Sequence, residues 1–217
     1  MDEKIEVKES VYERNDRISK ETKEFLKSRG VLAVNVLGAP GAGKTSLIES
    51  VIKRAGIRSY VVEGDIESDI DVKKLGEQGI EAVQINTHGA CHLDAPVVKK
   101  ALSEIEFSEP GILFVENIGN LICPAELTIG EHAVMLVLTV TEGSDKPYKY
   151  PLAFQKADVI VLNKTDLLAY VEFDERYFLE GVRTLNPDAP VFRVSAKTGA
   201  GVGDVVEWLK ERKKNTI

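Results

Sequence analysis

At 217 residues, with 28 Lys and Arg against 35 Asp and Glu and a formal net charge of −7, the chain suits one α/β domain with a single core and lacks the basic footprint of a nucleic-acid or anionic-membrane binder. No apolar run approaches the ~20 residues of a membrane span, and the charged start (Asp2, Glu3, Lys4, Glu6) is unlike a secretory signal, so a cytoplasmic protein is expected. Two cysteines do not make a disulfide scaffold.

The chain opens with a polar segment in which Val11, Ile18, Thr22, Phe25 and Leu26 fall on one helical stripe ending at Gly30. This predicts an amphipathic helix over residues 1–30 that packs on the outside of a domain comprising residues 31–217. The β-rich run 31–37 then passes through a glycine-rich loop into a helix with Leu47, Ile48, Val51, Ile52 and Ala55 inward, closed by Gly56. Further strands are predicted at 57–63, 80–86, 111–117, 134–140, 158–162 and 191–194, and helices near 69–77, 94–105, 173–185 and 202–213. Apolar strands alternating with helices predict a mostly parallel, seven-stranded sheet covered on both faces, an α/β fold. In such sheets ligands gather at the carboxyl ends of the strands, so chemistry is expected just after each strand.

After the first strand stands Gly38-Ala39-Pro40-Gly41-Ala42-Gly43-Lys44-Thr45-Ser46, a match to G-x-x-x-x-G-K-[ST] in strand-loop-helix context. Backbone N–H groups of Gly38, Gly41, Ala42 and Gly43, and the helix start at Lys44, Thr45 and Ser46, are expected to cradle a polyphosphate. Lys44 reaches the β and γ phosphates and Thr45 offers its hydroxyl to Mg²⁺. After the sixth strand comes Asn163-Lys164-Thr165-Asp166, and after the seventh Ser195-Ala196-Lys197. Guanine presents N1–H and N2–H₂ side by side, and Asp166 is placed to accept both. Asn163 either contacts the base edge or ties this loop to the phosphate loop, Lys164 covers the ring plane, and a backbone N–H of residues 195–197 faces O6. Together these motifs resemble the guanine-nucleotide-binding proteins of the P-loop class, implying GTP and GDP as ligands.

The Mg²⁺-sensing acid is expected at the end of a strand beside the loop strand, where Glu116-Asn117-Ile118-Gly119 stands. Glu116 takes that role and the Gly119 N–H is the γ-phosphate contact, released on hydrolysis. Familiar small GTPases read D-x-x-G followed by glutamine; here Glu replaces Asp and Asn120 replaces the glutamine. In the acidic loop of residues 63–71, Asp65 is the candidate for Mg²⁺ or water positioning, while Ser68, Asp69 and Asp71 equally suit a helix N-cap. Asp145 and Lys146, after the fifth strand, suit either a dimer or nucleotide contact or an exposed turn, and Leu167, Leu168, Tyr170 and Val171 read as core.

Cys91, His92 and Cys123 are not needed by a plain GTPase. All three fall in loops at the ligand edge of the sheet, and thiolate and imidazole suit Zn²⁺ or Ni²⁺. Alternatively the cysteines are small buried apolar residues. Three ligands leave a tetrahedral set incomplete, to be filled by water or by a second copy in a symmetric dimer.

The strings Gly64-Asp65-Ile66-Glu67-Ser68-Asp69, Cys91-His92-Leu93-Asp94-Ala95, Glu116-Asn117-Ile118-Gly119-Asn120-Leu121-Ile122-Cys123-Pro124 and Glu142-Gly143-Ser144-Asp145-Lys146-Pro147, with Lys149-Tyr150-Pro151, resemble the HypB family of nickel-inserting GTPases of NiFe-hydrogenase. The resemblance runs from the phosphate loop to Lys197. It implies a SIMIBI-class GTPase with slow turnover using Lys44, Asp65 and Glu116. Cys91, His92 and Cys123 would bind nickel or zinc, GTP would promote a homodimer, and nickel would pass toward the hydrogenase large subunit with a HypA-like chaperone. Some relatives carry a Cys- or His-rich N-terminal extension; residues 1–30 contain neither residue, so nickel storage is not expected in them. Thr87-His88-Gly89-Ala90 departs from the family's Thr-Gly, leaving His88 as a loop residue or an extra ligand, and no pattern supports His132 as one. A urease-type nickel GTPase, a regulatory GTPase without metal transfer, and a structural-zinc protein with a vestigial nucleotide site are the competing readings.

Overall fold

The computed structural model describes residues 10–65, 76, 80–87 and 89–217, with the Asp65 side chain excepted. Residues 1–9 of the predicted first helix, the predicted helix at 69–77 apart from residue 76, the cap roles of Ser68, Asp69 and Asp71, His88, and the side-chain role expected of Asp65 therefore lie outside the described residues. Seven strands form one parallel sheet in the order β3-β2-β4-β1-β5-β6-β7. They are β1 (Leu32–Leu37), β2 (Ser59–Asp65), β3 (Glu81–Asn86), β4 (Ile112–Glu116), β5 (Ala133–Thr139), β6 (Val159–Asn163) and β7 (Val191–Arg193). The predicted all-β segments each become a strand. Every residue of β1 is buried, as expected of the central strand of a parallel sheet with both faces covered.

Alternation along the strands sorts side chains onto two faces. Leu32, Val34 and Val36 of β1, with Ile112 and Phe114 of β4, meet α2 (Lys44–Ala55) and the last helix, Val202–Thr216. On the opposite face, Val31, Ala33, Leu113 and Val115 meet α1 (Val11–Ser28) and α3 (Ala95–Leu102). There too, Leu136, Leu138, Ile160 and Leu162 meet two helices, Pro151–Lys156 and Glu175–Leu185. Each fully buried Leu, Val or Phe contributes about 1.5–3 kcal/mol of transfer free energy, so the central strands are held from both sides. Short helices at Cys123–Glu126 and Lys146–Lys149, which the periodicity does not reveal, complete the fold.

The inward stripe of α1 differs from the expected one. Asn15, Ser19, Thr22 and Leu26 are buried, whereas Val11 is 82% and Phe25 41% exposed. The helix starts with a capping box in which Ser10 and Glu13 satisfy each other's backbone N–H groups. Its rotation is set by Asn15, whose Nδ2 donates to the Thr128 carbonyl at 2.9 Å and whose Oδ1 accepts from the Ala95 N–H at 2.8 Å. Gly130 permits close approach beneath it, since a Cβ there would lie 2.6 Å from Thr22 Cγ2. A buried two-sided amide and a glycine contact thus override the apolar stripe.

Candidate nucleotide and metal site

The register of β1 with its neighbours assembles one edge of the site. Val36 pairs with Glu116, and Glu116 with Glu63, so both carboxylates share the sheet face that looks toward α2. Gly41 and Gly43 hold φ of 77° and 86°, the left-handed geometry that turns the backbone of the phosphate loop. Gly43 also has no room for a side chain, because a Cβ would sit 2.6 Å from Asn163 Nδ2. α2 begins at Lys44 itself. Lys44 is buried, with Nζ 3.5 Å from the Gly38 carbonyl and 3.9 Å from Glu116 Oε1. The Thr45 hydroxyl donates to the same Glu116 oxygen at 3.0 Å, and Ser46 is exposed on the first helical turn. Hydroxyl, carboxylate and ammonium therefore converge at the helix N-terminus, a donor set suited to a polyphosphate with a hard divalent cation.

Asn163 spends its amide on architecture. Its Nδ2 donates to the Ala42 carbonyl at 3.0 Å, and its Oδ1 accepts from the N–H groups of Lys164 at 2.8 Å and Ala196 at 3.0 Å. Of the two roles weighed for it, the geometry is that of the tie. Lys164, at φ 58°, donates from Nζ to the Gly41 carbonyl at 2.7 Å. Asp166 Oδ1 accepts from the buried Ser195 hydroxyl at 2.6 Å, which orients the carboxylate beside Ala196 and the exposed Lys197. Strands β6 and β7 thus bring the residue groups 163–166 and 195–197, distant in sequence, to one place.

Cys91, His92 and Cys123 also meet: their ligand atoms lie within 4.8 Å of one another, with Cys91 Sγ 3.3 Å from His92 Nδ1. Cys91 is exposed and Cys123 half-buried; contact with the Cys123 thiol pushes the Cys91 thiol above its ordinary range. The Cys91 loop is anchored by Leu93, which packs where a Gly64 side chain would stand and donates its N–H to Asn117 Oδ1 at 3.1 Å. Asp94 caps α3 by accepting from the Val97 N–H at 2.9 Å. Cys123 opens the short helix Cys123–Glu126, with Pro124 and Ala125 buried beneath it. His92 and Cys123 line a cavity of about 450 Å³ whose wall includes Tyr12 and Asn15 of α1.

Three residues of this region have contacts that the sequence did not reveal. Asn117 joins the sheet to the Cys91 loop: Nδ2 donates to Asn35 Oδ1 at 3.2 Å while Oδ1 accepts from Leu93 and Ile118 N–H groups. Asn120 pairs by backbone with Gly38 at the start of the phosphate loop, and its Nδ2 donates to the Cys91 carbonyl at 3.2 Å. Glu63 lies beside Glu116, a position that strand alternation alone makes visible. Glu142 follows β5, its carboxyl pushed up by burial against the pull of Lys146, Lys164 and Lys44. Asp145 pairs with Lys149. Tyr170 is 81% exposed, whereas Leu167, Leu168 and Val171 pack against the core. His132 stands apart, its Nδ1 accepting from the Ala33 N–H at 3.0 Å; burial lowers its pKa to about 4.

The sheet order, the phosphate loop and the paired guanine-side motifs define a P-loop nucleotide-binding protein carrying a thiol-imidazole cluster on the same edge. The family profile described as "CobW/HypB/UreG, nucleotide-binding domain" matches residues 32–193. Hydrogenase maturation factor HypB of Azotobacter vinelandii is 42% identical over 98% of this chain and 70% of its own length. The probable hydrogenase maturation factor HypB of Methanocaldococcus jannaschii is 35% identical over 97% and 96%. HypB from Helicobacter pylori, solved in complex with nickel, superposes with a TM-score of 0.89 at 32% identity, covering 93% of this chain and 96% of that one. The chain belongs to the HypB group of the CobW/HypB/UreG family. No described helix is long and apolar enough to cross a membrane.

Proposed function

We propose that this chain is a cytoplasmic, GTP-hydrolysing metallochaperone that binds nickel or zinc and couples nucleotide state to dimerisation and to nickel delivery in NiFe-hydrogenase maturation. The observation that carries the reading is the 4.8 Å cluster in which Cys91 and His92, from the loop after β3, meet Cys123, on the segment that continues from Glu116. Membership of a family of hydrogenase maturation factors, with a relative solved in complex with nickel, gives that cluster a cargo.

Gly38, Gly41, Ala42, Gly43, Lys44, Thr45 and Ser46 hold the phosphates of GTP, with Lys44 offsetting charge that develops on the γ-phosphoryl group. Thr45 and Glu116, already in contact, would hold Mg²⁺, which when bound neutralises the phosphate oxygens. Asp65, at the end of β2, is assigned to the same ion or to the attacking water. Asp166 selects guanine, with Lys164 over the ring and residues 195–197 lining its rim. Gly119 reads the γ-phosphate, and its backbone is already set against the loop: a Cβ on it would lie 2.8 Å from Pro40. Movement at that contact shifts the segment that ends in Cys123. GTP assembles paired sites across a homodimer, hydrolysis loosens them, and the metal passes to a HypA-like chaperone and the hydrogenase large subunit. Residues 1–30 serve as part of this same unit, with α1 forming a wall of the cavity beside the metal cluster.

The test is metal content and oligomeric state of the purified chain with GDP and with a non-hydrolysable GTP analogue. Stoichiometric metal that disappears in Cys91→Ser and Cys123→Ser, with nucleotide-dependent dimerisation, is expected. Metal binding and association indifferent to nucleotide would overturn the coupling; GTP turnover with no metal at all would leave a regulatory GTPase.

A further inference from the structure

We propose that Asn120 is the positioning residue that transmits nucleotide state to the metal cluster, acting as a clasp between the phosphate loop and Cys91. The inference rests on the proposed function and names the residue through which its coupling runs. Three contacts meet at this one side chain and its backbone. Its main chain forms an isolated antiparallel bridge with Gly38, the residue at which β1 hands over to the phosphate loop. Its Nδ2 donates to the Cys91 carbonyl at 3.2 Å, across to the other metal-bearing loop. Its Oδ1 accepts from the Ile122 N–H at 2.9 Å, closing the turn that presents Cys123. The phosphate loop and Cys91 are therefore each bonded directly to Asn120, and Cys123 follows the residue that its Oδ1 holds.

The neighbouring residue makes this arrangement stiff. Gly119 lies so close to Pro40 that a Cβ would stand 2.8 Å from Pro40 Cγ and 2.9 Å from its nitrogen, closer than packed atoms approach. A shift of the phosphate loop is thus not absorbed at Gly119 and passes to the next residue. The chemistry of the amide suits this task, because one planar group supplies both a donor and an acceptor. A rotation that frees the Cys91 carbonyl also withdraws the acceptor from Ile122, so the two metal-bearing loops release together. Cys91, the more exposed thiol, has no buried side chain of its own to fix it, and the Asn120 donor holds its backbone at that point.

If metal and nucleotide sites communicate, each ligand changes the other's affinity by the same factor. Zn²⁺ affinity of the full chain is measured by chelator competition with GDP and with a non-hydrolysable GTP analogue, and the affinity of each nucleotide is measured with and without Zn²⁺. Wild type, Asn120→Ala and Asn120→Asp are compared, with Cys123→Ser as the metal-site control. Asn120→Asp keeps the acceptor for Ile122 and removes the donor to Cys91. The expected result is a coupling factor of at least about fivefold in wild type, the lower end of typical allosteric coupling. Both Asn120 variants are expected to bring it close to one, while still binding Zn²⁺ and GDP separately. Wild-type coupling in Asn120→Asp would show that the bond to Cys91 carries nothing and overturn the proposal, even with the function intact. Absence of coupling in wild type, or undiminished Zn²⁺ binding in Cys123→Ser, would instead overturn the function on which it rests.

Discussion

Ser195 holds Asp166, the residue proposed to read guanine, in one orientation. The 2.6 Å bond from the serine hydroxyl fixes one carboxylate oxygen and so orients the plane in which two guanine donors would be accepted. Asp166→Asn exchanges an acceptor for a donor, and xanthine carries an acceptor where guanine carries its amino group. The variant is expected to lose GTP affinity by more than about tenfold and to gain XTP affinity, read by competition against a fluorescent nucleotide. At the thiol-imidazole cluster, His92→Ala removes the imidazole of the proposed ligand set and is expected to weaken Zn²⁺ binding by at least about tenfold, with GDP affinity unchanged. Equal Zn²⁺ affinity in that variant would remove His92 from the ligand set. Motif residues were legible because each stands at a fixed spacing whose chemistry is local. Asn117, Asn120 and Glu63 were not, because their significance lies in partners from other strands and loops.

Among the elements, β4 joins the core to the site. Phe114 is 1% exposed under α2, two residues before Glu116, so its packing sets where that carboxylate emerges. Phe114→Ala is expected to cost about 3–5 kcal/mol in denaturant unfolding, the usual range for emptying a buried aromatic site. The segment joining the short helix Cys123–Glu126 to β5 carries a pH-dependent element. His132 is held neutral, its folded pKa lowered to about 4 against 6.5 when unfolded. The unfolded chain therefore binds the extra proton first, and stability falls as pH drops from about 6.5 toward 4, by roughly 1–3 kcal/mol after solvent screening. His132→Gln is expected to flatten this part of the stability profile; an unchanged slope would assign the dependence to other groups. The predicted strand segments each reappear as a strand because buried parallel strands announce themselves as short apolar runs. The inward face of α1 was misjudged because Asn15 and the Gly130 contact, not the apolar stripe, fix its rotation.

At the scale of the whole molecule, two chemistries occupy one edge of a single sheet. The order β3-β2-β4-β1-β5-β6-β7 puts β1 and β4 at the centre, so the phosphate loop, Glu116 and the cysteine segment share a border. A GTP analogue is expected to raise the dimer fraction in sedimentation relative to GDP, and Cys123→Ser to reduce that rise if the metal site spans the interface. A dimer fraction independent of nucleotide would separate assembly from the GTP cycle. The sequence by itself determined the parallel α/β class and the phosphate loop, and it set two thiols and an imidazole in loops at the strand ends, since these depend on short apolar runs and on residue chemistry at local spacing. Only the tertiary structure decided that Cys91 and His92 lie within 4.8 Å of Cys123, and that Asn120 pairs with Gly38 while bonding to Cys91. The reason is physical: contacts between chain-distant segments follow from strand order and loop packing, which no local spacing encodes.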